Sequence, residues 1–292
     1  MARVFDCFPF YNELDLLELR LHELSDVVDR FIIAEADMTF AGHPKPLNFA
    51  DHAARFDVFR DRIDYIVVRD MPKQAQSGWV RQWHQREAMR AVIEKAAPDD
   101  VILLSDSDEI VKASSLSTFC ARDSNAAEIG CFELRHYNYF LNWECDQRWL
   151  RSGPRAIRKK YFRDFQSLRQ VRGPSRKPLQ DLSRAFDACR LLRRPIKRVL
   201  LPDAGWHFTY LGGAQALVDK DRNFRGSEKP LFGHDAEMEA ARWIAEGRAV
   251  KIDGGQQVIP RAIDERFPAY LQGHQERFAP LIGPLDLKRE QN

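Results

Sequence analysis

Cysteine is scarce and scattered in this chain: Cys7, Cys120, Cys131, Cys145 and Cys189 are odd in number and far apart, with no C-x-x-C spacing. Neither a disulfide framework nor a zinc site is suggested, and reduced, mostly buried thiols are expected. Long apolar runs are missing too. Nothing approaches the roughly eighteen consecutive apolar residues of a membrane span, and "MARVFDCFPFYNELD" lacks the basic-then-apolar order of a secretory signal. A cytoplasmic protein is expected. The 15 glycines form neither G-x-G-x-x-G nor G-x-x-x-x-G-K-[ST], so a dinucleotide-binding Rossmann fold and a P-loop kinase lose their usual signatures, and no G-x-S-x-G occurs. There is no internal repeat, no low-complexity segment and no linker dividing two cores.

What is present reads as alternating strands and helices. "RVFDCFPF" leads into "NELDLLELRLHELSDVVD", where Leu14, Leu17, Leu21 and Leu24 keep helical spacing and Asn12 is placed to cap. "RFIIAEA" and "DYIVVRD" read as further strands, with a helix-like stretch near 50–60 between them. "WVRQWHQREAMRAVIEKA" repeats the helical pattern before "VILLSDSDEI". That last run is apolar on both faces, as in a buried strand of a parallel sheet, and breaks off at Asp106, Asp108 and Glu109. Carboxylates there lie at the carboxyl end of the strand, where open α/β sheets bind ligands. Further on, a helix is expected near 115–121, "EIGCFELRHYNYFLNW" fits one long strand or a hairpin, "LLPDAGWHFTYLGG" returns to strand, and "HDAEMEAARWIAEG" and "FPAYLQGHQERFAPLI" supply two last helices. With 44% hydrophobic residues, the 292 residues can build one large α/β core. A single domain over 1–292 is expected, with a mostly parallel Rossmann-like sheet flanked by helices.

The net charge of +2 hides an asymmetry. Residues 151–198 carry twelve Arg and four Lys against Asp164, Asp181 and Asp187, a net of about +13 that leaves the remainder near −11. Gly153, Pro154, Gly173, Pro174, Pro178 and Pro195 break the segment into short pieces, so it reads as an excursion on the fold. Solvated surface is the plain reading. An acidic acceptor, a phospholipid surface or nucleic acid are the functional ones.

Two aspartates one residue apart at a strand end can approach one Mg²⁺ or Mn²⁺, which then keeps positions open for a diphosphate. They can equally cap a helix or line a polar loop. Context narrows this. "DCFPFYNELDLLELRLHELSDVVDRFIIAEADMTFAGHPKPLNF", followed by "QREAM", "DDVILLSDSDEI", "YNYFLN", "AGWHFTYLGG" and "FPAYLQGHQERFAPLI", resembles glycosyltransferase family 17 over nearly the whole chain, most loosely from about 151 to 199.

The resemblance implies a GT-A-type fold and inverting, metal-dependent transfer from a UDP-sugar, with N-acetylglucosamine as the sugar and Mn²⁺ or Mg²⁺ as the cofactor. It implies a donor-binding half over 1–112 and an acceptor-binding half over 113–292. Asp106 and Asp108 match the family's D-x-D, and His207 of "GWHF" is a candidate third metal ligand. Asn12 and Glu35, at the ends of the first two strands, fall where a uridine would lie, with helix capping and a satisfied surface carboxylate as their plain readings. Arg81 and Arg86 match basic positions of the family, and either fork suits phosphate oxygens. Tyr137, Tyr139, Trp143 and Trp149 offer aromatic faces to sugar rings, although core packing is the commoner fate of such residues. An inverting transfer needs a carboxylate to take the acceptor's proton. Counting from Lys220 gives Glu228, with Asp235, Glu144 and Asp146 in competition. Expected partners are a saccharide or lipid-linked glycan, with an anionic acceptor and peripheral contact with the inner face of a membrane as the roles open to the basic segment. No nucleic acid is expected. Two other readings stay open: a nucleotidyltransferase, for which "FPFYNELD" lacks the glycine-rich basic loop, and a nucleic-acid or membrane-surface binding protein acting through the arginines.

Overall fold

The computed structural model describes residues 2–75, 77–225, 231–250 and 257–286. In chain order the elements are β1 (Val4–Phe10), α1 (Leu14–Leu24), β2 (Arg30–Ala36), α2 (Asn48–Asp51), a 3-10 stretch (Ala53–Arg62), β3 (Ile63–Val68), α3 (Gly78–Glu87), α4 (Arg90–Ile93), β4 (Val101–Leu104) and β5 (Glu109–Val111). They continue as α5 (Ala113–Cys120), β6 (Glu128–Phe132), β7 (Arg135–Asn138), β8 (Trp143–Cys145), β9 (Arg155–Arg158), α6 (Phe165–Gln170), α7 (Pro178–Leu192), β10 (Lys197–Leu201), β11 (Gly205–Thr209), α8 (Gly213–Arg225), α9 (Ala236–Ala245), β12 (Val258–Pro260) and α10 (Ala269–Gly273).

Seven strands form the main sheet in the order β10-β6-β9-β4-β1-β2-β3, parallel throughout except for β9, which runs antiparallel to both neighbours. Both faces are covered, which is why its strands read as continuous apolar runs. Val101 and Leu103 of β4 enter one core with Phe8 of β1 and with Leu17, Leu21 and Leu24 of α1. Ile102 and Leu104 enter the other with Met89, Ile93, Phe165 and Leu168, and with Ala188 and Leu192 of α7. The mixed α/β class with a mostly parallel sheet is as expected.

A second sheet, β12-β8-β7-β11-β5, packs its strands antiparallel except for β7 beside β11. The loop Ser105–Asp108 therefore leaves one sheet at β4 and enters the other at β5, placing the acidic motif at their junction. Gly205 makes that junction possible. It pairs with Val111, and at φ +152° a Cβ there would lie against the Ile110 carbonyl and 2.9 Å from the Val111 Cα.

Several expectations need correction. "EIGCFELRHYNYFLNW" is neither one strand nor one hairpin: β6 belongs to the main sheet, while β7 and β8 belong to the second. The closing "FPAYLQGHQERFAPLI" forms only the short α10 and a 3-10 turn at Ala279–Leu281. The basic segment is no mere excursion, because β9 comes from it and lies inside the main sheet. Much of its charge also turns inward. Arg155, fully buried, donates to the carbonyls of Leu150, Arg151, Gly153, Pro154 and Val171, and Arg158 to those of Asp99, Cys120 and Arg122. All five cysteines are free thiols. Among the described residues no helix is long and apolar enough to cross a membrane.

Candidate active site

The acidic loop is held from behind by Arg20 of α1. Its guanidinium pairs with Asp6 of β1 at 2.6 and 2.5 Å, and reaches the carbonyls of Asp106 (3.1 Å) and Glu109 (3.0 Å) and the Ser105 hydroxyl (2.5 Å). Both charged side chains are 0% exposed. Glu109 turns inward as a second fastener. Its carboxylate accepts from the Asp106 amide (2.9 Å), from Trp149 Nε1 (2.6 Å) and from the Arg169 guanidinium (2.9 and 3.1 Å).

Asp106 is likewise committed: Arg86 of α3 donates to its Oδ1 at 2.7 Å and Arg169 of α6 to its Oδ2 at 2.6 Å. Burial alone would raise this carboxyl, but the two guanidiniums outweigh it and hold the group below its ordinary value. Each oxygen of Asp106 thus answers one guanidinium while the side chain stays 27% exposed, so the aspartate anchors the loop and keeps part of its carboxylate open.

Asp108 faces the other way. Lys220 of α8 donates to its Oδ2 at 2.7 Å and to Thr209 Oγ1 at 3.0 Å, while Nε2 of His207 stands 3.5 Å from Oδ1. Against burial, the Lys220 ammonium and the His207 ring keep the Asp108 carboxyl well below the usual range, and Asp108 in turn raises the lysine. The pairing of β11 with β5 sets His207 opposite Glu109, and the Phe208 amide donates to the Asp108 carbonyl at 2.9 Å. His207 clusters with Trp149 and His136, at ring separations of 4.5 and 4.9 Å and with those two rings 5.8 Å apart, and among the described residues its buried Nδ1 has no partner. His136 itself is held well below its ordinary pKa by burial and by the neighbouring ring.

A divalent cation could replace the Lys220 ammonium beside Asp108, with His207 Nε2, 3.5 Å from Asp108 Oδ1, as a second donor. Among the described residues no three His, Cys, Asp or Glu side chains converge as a ligand set. The remaining coordination positions would have to come from substrate and water.

The other expected residues fall into place around this centre. Arg86 belongs to it. Asn12 is exposed and caps nothing; Glu13 is the N-cap of α1, and its carboxylate bonds back to the amides of Tyr11 and Asn12. Glu35 is not on the surface but fully buried. It accepts from Lys45 (2.7 Å), from the Asn48 and Phe49 amides (2.7 and 3.0 Å) and from Tyr65 OH (2.9 Å), so it secures the start of α2 and has no capacity left for a nucleoside. Arg81 spends its fork on the carbonyls of Pro72, Phe40 and Lys73 at 2.9 Å each, which fastens loops and corrects the phosphate role. Trp143 packs on Phe140 in a separate apolar cluster and donates to the Pro284 carbonyl, a core residue and not a sugar platform. Of the aromatic set, Trp149 alone touches His207. Asp235 is an exposed residue ahead of α9 with no contact to Asp108, Glu144 is hemmed by Arg135, Arg148 and Arg261, and Glu228 lies outside the described residues. Sequence reasoning missed Asp6, Arg20, Arg169 and Lys220 as site residues. Only the unusual charge of a buried-type helix face at Arg20 hinted at any of them.

A parallel-dominated sheet flanked by helices, with a charged acidic loop at its carboxyl edge, defines an α/β protein with a ligand site of the open-sheet type. The model of "Glycosyltransferase family 17" matches residues 1–171, and the chain belongs to that family. Over 149 residues it is 33% identical to β-1,4-mannosyl-glycoprotein 4-β-N-acetylglucosaminyltransferase of Rattus norvegicus and, equally, of Homo sapiens; each match covers 49% of this chain and 28% of the relative's length. Among solved structures, glucosyl-3-phosphoglycerate synthase of Mycobacterium tuberculosis, in complex with Mn²⁺, UDP and glucosyl-3-phosphoglycerate, aligns at 13% identity with a TM-score of 0.39 over 93% of this chain and 92% of that one. Inositol-1-phosphate CTP transferase of T. maritima aligns at 14% identity with a TM-score of 0.37 over 70% and 87%. At those scores the likeness is remote.

Proposed function

We propose that the chain is a metal-dependent inverting glycosyltransferase that moves a sugar, N-acetylglucosamine as first candidate, from a UDP-sugar to a saccharide or lipid-linked glycan. The single observation that carries this is Asp108 in the loop between the two sheets, with Lys220 on its Oδ2 and His207 beside its Oδ1. Asp108 and His207 would hold Mn²⁺ or Mg²⁺, which supplies Lewis-acid charge to the leaving diphosphate. Lys220, a third exposed, adds a second positive charge at the same place. Arg86 and Arg169 keep Asp106 ionised and the loop rigid behind it, so that Asp108 does not have to be ordered when the donor arrives.

In the transfer, the acceptor hydroxyl oxygen bonds to the anomeric carbon from the face opposite UDP, the glycosidic C–O bond to the phosphate breaks, and the hydroxyl proton passes to a carboxylate. Glu228 keeps the base role that the family resemblance gives it. Residues 1–112 would bind the donor and 113–292 the acceptor, in one catalytic unit.

The test is a thermal-shift screen of UDP-sugars with and without Mn²⁺, because a ligand of the native state alone raises the melting midpoint. UDP-N-acetylglucosamine with Mn²⁺ is expected to raise it, and Asp108→Asn to abolish the rise. Equal midpoints with and without every UDP-sugar would remove the proposal.

A further inference from the structure

The helix α7 carries an apolar stripe on the wrong side for a core. Leu179 is 85% exposed, and Leu182 and Phe186 are 70% exposed each. At 100° per residue these three project within about 60° of one another, while Ala188 and Leu192, on the far side, pack into the core beneath the main sheet. Nothing on the inner face requires the stripe, and exposed apolar residues aligned along a helix mark an interaction surface.

Charge says what covers it. Arg176 and Lys177 stand exposed at the start of the helix and Arg190 and Arg193 at its end, Arg190 within the same outward sector as the three apolar residues and Arg193 as the left-handed C-cap just beyond it. Arg190 meets Asp187 only at 3.5 Å, with both side chains largely in water. Unlike Arg155, Arg158 and Arg169, which turn inward, these four basic side chains are exposed and can reach an external anion. An apolar stripe bracketed by cations suits a surface that is apolar below and anionic above, which is a bilayer of acidic phospholipid; a protein groove would match the stripe but not the cations at both ends.

We propose that α7 docks the protein on anionic membranes, with Leu179, Leu182 and Phe186 entering the acyl boundary and Arg176, Lys177, Arg190 and Arg193 meeting headgroup phosphates. The helix lies beyond the residues matched by the family model, so this goes beyond the donor-site reading.

The test is co-sedimentation of the full chain with phosphatidylcholine vesicles and with vesicles containing phosphatidylglycerol. Wild type is expected to bind the anionic vesicles at least tenfold more tightly than the neutral ones, and to lose that advantage at high salt. Arg190→Gln with Arg193→Gln should weaken binding about fivefold per residue. Leu179→Gln, Leu182→Gln and Phe186→Gln together should weaken it at least tenfold with an unchanged melting midpoint, since exposed positions tolerate substitution. Equal binding to both vesicle types, or undiminished binding by the triple variant, would overturn the proposal. So would a wild-type dimer that the triple variant turns into a monomer, because the stripe would then belong to a second copy. None of these readouts involves sugar transfer, so a failure here leaves the donor site untouched.

Discussion

Replacing Arg20 by Met removes the clamp behind the acidic loop while keeping a long apolar stem in the cavity. What is lost is five hydrogen bonds, two of them to a carboxylate with no exposed surface. The apolar transfer term is small, because methionine fills most of the same volume. The cost lies in Asp6, left without its guanidinium in the core, and in the Glu109 carbonyl, which loses its Arg20 donor, while the Asp106 carbonyl keeps the Glu109 amide at 3.1 Å. Breaking a buried pair from one side costs about 3–5 kcal/mol. With a urea slope of about 3 kcal/mol/M, the unfolding midpoint should fall by about 1–1.7 M. Asp6→Asn combined with Arg20→Met removes the stranded charge and should recover about 2 kcal/mol relative to the sum of the single variants. A single-variant loss below about 1 kcal/mol, or strict additivity in the cycle, would refute the view that this pair carries the loop.

Gly205→Ala should cost at least about 3 kcal/mol, or prevent folding, because its Cβ would collide with the backbone of β5; circular dichroism melts read this directly, and a melt within 2 °C of wild type would contradict the close approach. Asp108→Ala is expected to lower transfer at least about a hundredfold with the fold intact, and EDTA to do the same to wild type; full activity in excess chelator would count against the metal. Glu18 sits between Arg55, Arg277 and Tyr270, which overcome its burial and bring its carboxyl down to about 2. A carboxyl lowered in the folded state stabilises the protein above its unfolded pKa and loses that contribution as the pH falls toward 2. Denaturation curves between pH 5 and 2 should therefore be flatter for Glu18→Gln than for wild type, and parallel curves would show that these pairs contribute nothing.

Apolar continuity made the buried strands visible: Val101–Leu104 and Arg30–Ala36 read as strands because both sides of the main sheet are covered. The position of the acidic loop followed from the same argument. What stayed hidden was how individual charges are used. "RAIR" at 155–158 has no strand signature, since its arginines bond backbone carbonyls from distant loops, a purely tertiary arrangement. Asp106 and Asp108 look equivalent in sequence, and only the approach of α6 and α8 pairs one with arginines and the other with Lys220. Glu35 and Arg81 fit a donor-site pattern by type and place, yet both serve as loop fasteners.

The antiparallel β9 has a consequence for biogenesis. Until residue 158 leaves the ribosome, β4 and β6 have no strand to join them, and two greasy edges stand open side by side with nothing to close the gap. Chains that terminate early, or stall there, should be the species that chaperones hold and that form inclusion bodies.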